Sequence, residues 1–222
     1  MRDAWAGPIA LMAVLVCVLL GAGQALSAEP LTREKALEAL KSPQDVEARR
    51  LGAASLGPMG RTEDLPLLQE ALRDPDPAVR ALAERSIWSV WGRSGDPEID
   101  RLYEQGLAKM QGQDYREAIE IFSEIIRGKP DFAEGWNKRA TLYYLIGEFE
   151  KSLADCDEVV RRNPEHFGAL SGYGLIYLQL DRPELALQYF ERAFAANPNM
   201  PQIEIAIEQL RQFLKERERS QA

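Results

Sequence analysis

Pro130, Pro164 and Pro198 are 34 residues apart, and this period constrains the chain more than any other feature. The same step links Ala118, Ser152 and Ala186, then Phe122, Cys156 and Phe190, then Ile125, Val159 and Ala193. It also links Gly106, Ala140 and Gly174, and Leu102, Trp136 and Leu170. A unit this short cannot bury its own apolar face, so consecutive copies must stack on one another. The small positions let two helices of a unit approach closely, and Trp136, Tyr143, Phe122 and Phe190 fill the gaps between units. The prolines punctuate the loops. No segment reads as a sheet.

Helix boundaries follow from local chemistry. Asp114 with Glu117, and Asp131 with Glu134, each read as a helix start, an acceptor followed three residues later by an acid. Gly112, Gly128 and Gly147 stand where helices should end. Upstream, residues 43–57 align with 74–88 at an offset of 31, matching Arg49 to Arg80, Leu51 to Leu82, Ser55 to Ser86 and Leu56 to Ile87. Asp76-Pro77 and Ser42-Pro43 each place a cap before a proline at the first helical position. After Pro201, Ile203, Ile205, Ile207, Leu210 and Leu214 form a last helix with a charged end, the polar cap such an array needs.

With these residues in place, the stretch from about Ile99 to Met200 resembles the tetratricopeptide repeat family. Residues from about Leu31 to Gly95, with Ala53–Gly60 and Asp74–Arg80, resemble the short HEAT-like repeat of phycobilisome-lyase-type modules. The resemblance implies an all-α, right-handed superhelical solenoid of antiparallel helix pairs. The expected organisation is HEAT-like repeats over 29–95, three tetratricopeptide repeats over 99–132, 133–166 and 167–200, and a capping helix over 201–222. With barely a linker at 92–95, the HEAT-like helices are expected to pack directly on the first tetratricopeptide helix. Lys109 stands where the other copies have Tyr143 and Tyr177, so the first repeat has a different neighbour on that side.

The first 28 residues read as an export signal. No charge lies between Asp3 and Glu29, residues 9–20 are nearly all apolar, and small residues follow at 21–28. Cleavage fits after Ala25 or after Ala28, and an uncleaved membrane anchor is the rival reading. The expected compartment is the periplasm. Cys17 follows Val16 and lacks the small predecessor that lipid attachment needs. The formal charge of −8 argues against a nucleic-acid backbone as partner. One histidine, His166, and two cysteines, Cys17 and Cys156, leave no means of building a multi-ligand zinc site, and no cofactor is expected.

Function is expected on the concave face that the first helix of each pair lines in this family. Carried over, that face presents Tyr103, Leu107 and Met110 from the first repeat. The second gives Asn137, Lys138, Thr141 and Tyr144; the third gives Ser171, Leu175 and Leu178. Tyr, Leu and Met offer apolar contact, Asn137 a hydrogen bond to an extended backbone, and Lys138 a carboxylate contact. Relatives that clamp the C-terminal carboxylate of cytosolic heat-shock chaperones do so with Lys, Asn and Arg. Here those positions hold Tyr103, Leu107, Lys138, Gly168 and Gly172, so a different protein or peptide partner is expected. Gly168 and Gly172 suggest a shallow trough where a partner backbone or helix lies close. Cys156 falls on a core position, His166 in an interhelix loop, and Asp155, Asp157 and Glu158 on a solvated helical face. No acid pair stands out as catalytic, and the chain reads as a non-enzymatic interaction module. A self-associating scaffold and a carboxylate-dependent enzyme acting on an envelope polymer are the alternatives.

Overall fold

A computed structural model describes residues 31–221; the expected export signal lies outside the described residues. Among the described residues there are eleven α-helices and one 3-10 turn, and no strand. The helices are α1 (Arg33–Leu40), α2 (Val46–Met59), α3 (Leu65–Ala71), α4 (Pro77–Trp91), α5 (Pro97–Gln111) and α6 (Tyr115–Gly128). They continue with α7 (Ala133–Leu145), α8 (Phe149–Arg162), α9 (Phe167–Gln179), α10 (Pro183–Ala196) and α11 (Pro201–Gln221). Residues 31–221 fall in one compact unit. None of the described helices is long and apolar enough to cross a membrane.

The 34-residue period becomes three helix pairs, α5 with α6, α7 with α8 and α9 with α10, stacked through α6–α7 and α8–α9 contacts, with α11 on α10. Complementary volumes close each pair. A Cβ on Gly106 would stand 2.7 Å from the Phe122 ring, and one on Gly174 would stand 2.3 Å from the Phe190 ring. In the middle pair the small residue is Ala140, and the facing aromatic is replaced by Cys156 in the same buried cluster. Methyl plus thiol thus replaces hydrogen plus phenyl at an equivalent contact. This explains why the one cysteine among the described residues lies in the core. Burial pushes its thiol up to about 12, since a thiolate there would lose hydration beside Asp155 and Asp157. At pH 8 Cys156 should therefore resist alkylation for hours in the native protein and react within minutes in denaturing urea, as read by mass spectrometry of its peptide. Rapid native labelling would contradict this packing.

Polar groups tie the pairs together. Arg139 on α7 donates twice to Asp155 on α8, at 2.8 Å each, and once to Ser123 on α6 at 2.9 Å. Asp155 is buried, not on a solvated face as its sequence neighbours suggested; Asp157 accepts from the Tyr173 hydroxyl, and Glu158 pairs with Arg161 and Arg162. Burial raises the Asp155 carboxyl, and the Arg139 hydrogen bond opposes that rise.

The N-terminal helices use the acids that begin them. Asp45, Asp76 and Asp96 accept backbone hydrogen bonds at the starts of α2, α4 and α5. Asp76-Pro77 and Asp96-Pro97 begin helices with proline in the first turn, whereas Ser42-Pro43 stays in the loop and Asp45 caps α2 instead. Arg33 on α1 pairs with Asp64 in the 3-10 turn, and Arg49 and Arg50 on α2 pair with Asp74 and Asp76 in the segment that leads into α4. Arg93 donates to the carbonyls of Gly57 and Gly60, satisfying acceptors left free at the end of α2.

These helices pack mainly on one another and reach α5, where Gly92 lies beside the Tyr103 ring, but they also make contacts much further along the chain. Trp88, Trp91 and Phe167 belong to one apolar cluster with Leu56, Leu68 and Ile87. Arg80 donates to Asn199 Oδ1 at 2.7 Å, Asn199 Nδ2 donates to the Leu72 carbonyl at 2.8 Å, and Arg73 donates to the Ala195 carbonyl. The N-terminal helices thus fold back on the third helix pair. This contact comes in addition to the expected packing on α5.

Candidate binding groove

The face formed by α5, α7 and α9 divides into two halves of different character. At the start of α7 and α9 it is filled by the chain's own α4. Trp91 stacks on His166 with ring centroids 4.2 Å apart, and Trp88 meets Phe167 edge-on at 5.1 Å. Lys138 Nζ lies 5.3 Å above the Trp88 ring, within cation–π range. A Cβ on Gly168 would fall 2.5 Å from Trp88 Cη2, so glycine is what lets the indole seat there. The close approach expected at Gly168 is real, but its occupant is intramolecular.

Beneath this contact lies a buried carboxylate. Glu134 Oε1 is 2.6 Å from His166 Nε2, and its two oxygens accept from Asn137 Nδ2 at 3.1 and 3.2 Å. Glu134 Oε2 accepts from the Tyr103 hydroxyl at 3.1 Å and pairs with Lys138 at 3.1 Å. His166 Nδ1 accepts the Ala169 backbone N–H at 3.1 Å and so carries no proton; the Nε2 proton is the one directed at Glu134. His166 therefore caps α9 with one nitrogen and holds Glu134 with the other. Burial alone would raise the Glu134 carboxyl, but the His166 hydrogen bond, the Lys138 charge and the Asn137 amide outweigh it and hold it well below the usual range. Burial, with Glu134 alongside, strongly raises the Tyr103 phenol.

This network corrects the reading of Tyr103, Asn137 and Lys138. Tyr103 and Asn137, expected to meet a partner, are each only 6% exposed and face Glu134. Lys138, expected to meet a partner carboxylate, already has one in Glu134. His166 lies in the interhelix loop where it was expected, but completely buried there. The Asp131–Glu134 start signal is one residue early and its capping contact is missing: α7 begins after Phe132, and Glu134 is drawn inward instead of capping. The 34-residue register held a clue to His166, since it aligns His166 with Phe132 and Met200. The role of Glu134 had no such clue, because its equivalents are Asp100 and Gly168.

The remaining predicted residues lie toward the ends of α5, α7 and α9. Leu107 and Met110 pack in part against the first pair's core. Thr141, Tyr144, Ser171 and Leu175 line a cavity of about 140 Å³ between α7, α8 and α9. Leu145, Leu175 and Leu178 are 48%, 41% and 39% exposed. Among the described residues no group of three or more His, Cys, Asp or Glu side chains could hold a metal ion.

Stacked antiparallel helix pairs repeating at 34 residues, with a small-to-large contact inside each pair, define a helical-repeat protein of the tetratricopeptide class. The tetratricopeptide repeat family model matches residues 103–163 and 146–201. A TPR repeat-containing protein of Rhizobium etli is 35% identical over 139 residues, covering 63% of this chain and 67% of that protein. The chain belongs to the tetratricopeptide repeat family. The small glutamine-rich tetratricopeptide repeat-containing protein of Dictyostelium discoideum is 29% identical over 100 residues, covering 45% of this chain but only 30% of that protein. Among solved structures, the Sgt2 TPR domain from Aspergillus fumigatus superposes with TM-score 0.52 at 24% identity, covering 56% of this chain and 83% of that one. The first TPR of Spaghetti (RPAP3), bound to an HSP90 peptide, gives TM-score 0.51 at 24% identity, covering 53% and 93%. At that identity these structures establish the common fold.

Proposed function

We propose that the protein is a non-enzymatic interaction module of the cell envelope, which holds a segment of a partner protein along the open half of the α5–α7–α9 face. The observation that carries this reading is the exposure of Leu145 on α7 and of Leu175 and Leu178 on α9, with Leu175 and Tyr144 lining one cavity between these helices. Large apolar side chains left uncovered together on a groove mark a surface that gains from being covered. The repeat class supports it, since such stacks build extended recognition surfaces. The uncharged N-terminal stretch supports placement in the envelope, and the HEAT-like reading of α1–α4 assigns those helices a supporting role at one end of the groove. Affinity capture from an envelope extract tests the assignment. Leu175→Glu/Leu178→Glu should lose the captured partner at least tenfold while retaining the helical circular-dichroism spectrum, because both side chains face solvent. Unchanged capture would refute the groove. One observation favours a second reading: Ile205 and Phe213 are exposed on α11, an apolar face suited to self-association. A clean monomer in light scattering at high concentration would eliminate it.

A further inference from the structure

We propose that the cavity beside Gly172 is a seat for one phenylalanine side chain of the bound partner segment. The proposal rests on the groove reading above and sharpens it to a single anchor. Gly168 and Gly172 are four residues apart on α9 and so share a face. Internal packing explains the first, which admits Trp88 of α4. It does not explain the second: a Cβ on Gly172 would meet only Cys156 Sγ, at an ordinary 3.8 Å. A mid-helix glycine costs about 1 kcal/mol relative to alanine, and nothing inside the fold offsets that at Gly172. The trough that seats an aromatic ring at Gly168 therefore continues one turn along α9, with its next seat unfilled.

The seat's size and chemistry select the occupant. Its volume is about 140 Å³, and an apolar cavity of about 150 Å³ accepts benzene. Three hydroxyls in its wall are already engaged by backbone carbonyls, those of Thr141 and Ser171 on their own helices and that of Ser152 across to α7. Thr141 donates to the Asn137 carbonyl at 2.9 Å, Ser152 to Ala140 at 2.7 Å and Ser171 to Gly168 at 2.9 Å. The Asn137 amide is held by Glu134. The surface facing the cavity is mainly apolar, with Ala140, Cys156, Leu175 and Ile176 in its wall. A charged or strongly polar side chain would lose hydration there without recovering its hydrogen bonds. A phenyl ring loses little and repeats, one turn along, the glycine–aromatic contact that Trp88 makes with Gly168.

Two probes test this on the purified full chain. Benzene titrated by calorimetry should bind saturably to the native protein and at least tenfold more weakly to Gly172→Leu, whose side chain fills the seat. Gly172→Leu also replaces a poor helix former, so its fold is expected to survive. Absence of benzene binding, or equal binding by both proteins, overturns the seat. A phage-displayed random peptide library panned on the native protein should yield binders sharing one phenylalanine, lost by both Gly172→Leu and Leu178→Glu. Binders lost by Leu178→Glu but kept by Gly172→Leu overturn the seat and leave the groove standing. Binders kept by both variants overturn the groove and the seat together.

Discussion

Replacing Glu134 with alanine is expected to lower the unfolding free energy by about 3–5 kcal/mol, the range for removing one member of a buried charged cluster. The reason lies in what is left behind. Asn137, His166 and the Tyr103 hydroxyl all direct donors at this carboxylate and lie out of water. A stranded buried donor costs about 1–3 kcal/mol. Lys138 is partly exposed and recovers some hydration, which keeps the total from being larger. Urea denaturation of the native and variant proteins measures the difference, and a change below about 1 kcal/mol would mean that the network contributes little.

The same carboxylate gives the stability a pH dependence of known sign. Its folded pKa is depressed, so its contribution is complete above the unfolded value of about 4.3 and is lost as pH falls from there toward the folded value. The stability gap between the native protein and Glu134→Gln should therefore narrow by about 1 kcal/mol between pH 7 and pH 3.5. An unchanged gap would show that the carboxyl is not depressed. Asp64, Asp74 and Asp76 add to the acid sensitivity in the same direction. Asp76 is lowered to about 2, chiefly by its hydrogen bond from Arg50. At Asp64 and Asp74, burial pushes upward and the Arg33 and Arg49 hydrogen bonds outweigh it.

Trp91→Ala is expected to cost about 3–5 kcal/mol, as for other buried aromatic truncations. The indole stacks on His166 at 4.2 Å and also contacts Trp88 at 5.2 Å and Phe167 at 4.9 Å. Aromatic pairs add about 0.5–1.5 kcal/mol each beyond burial. Because Trp91 joins α4 to α9, the loss should be visible as undocking as well as destabilisation. Limited proteolysis should cut the variant between 92 and 96 faster than the native chain, at urea concentrations where both remain helical. Equal cleavage rates with equal denaturation midpoints would show that α4 is held by other contacts.

The two variants separate two contributions to one junction. Glu134→Ala removes the polar centre beneath α4, and Trp91→Ala removes the apolar contact above it. His166 belongs to both, so the double variant should cost less than the sum of the single ones.

Much of this architecture was legible in the sequence, and the reason is locality. A 34-residue period, small residues facing large ones and prolines in the loops are nearest-neighbour facts, and a repeat stack is stabilised by nearest-neighbour contacts. Gly106 against Phe122, Gly174 against Phe190, Cys156 in the core and the capped starts at Asp76 and Asp96 all follow from residues within one repeat or one turn. The exposed Leu175 and Leu178 follow from helical register. Contacts spanning many repeats were not legible. Nothing in the segment around Trp88 and Trp91 indicates that it packs on His166, Phe167 and Gly168, or that Arg80 meets Asn199. Those pairings depend on how far the stack curves and where the N-terminal helices land on it. Tyr103, Asn137 and Lys138 were placed on the correct helices, but their partner was decided by Glu134 and by the cover that α4 provides. The sequence alone determined the repeats, their pairing and the exposed leucines, because short-range volume and periodicity specify them. Tertiary structure decided which half of the groove stays open, because only a long-range contact could bring α4 over the other half.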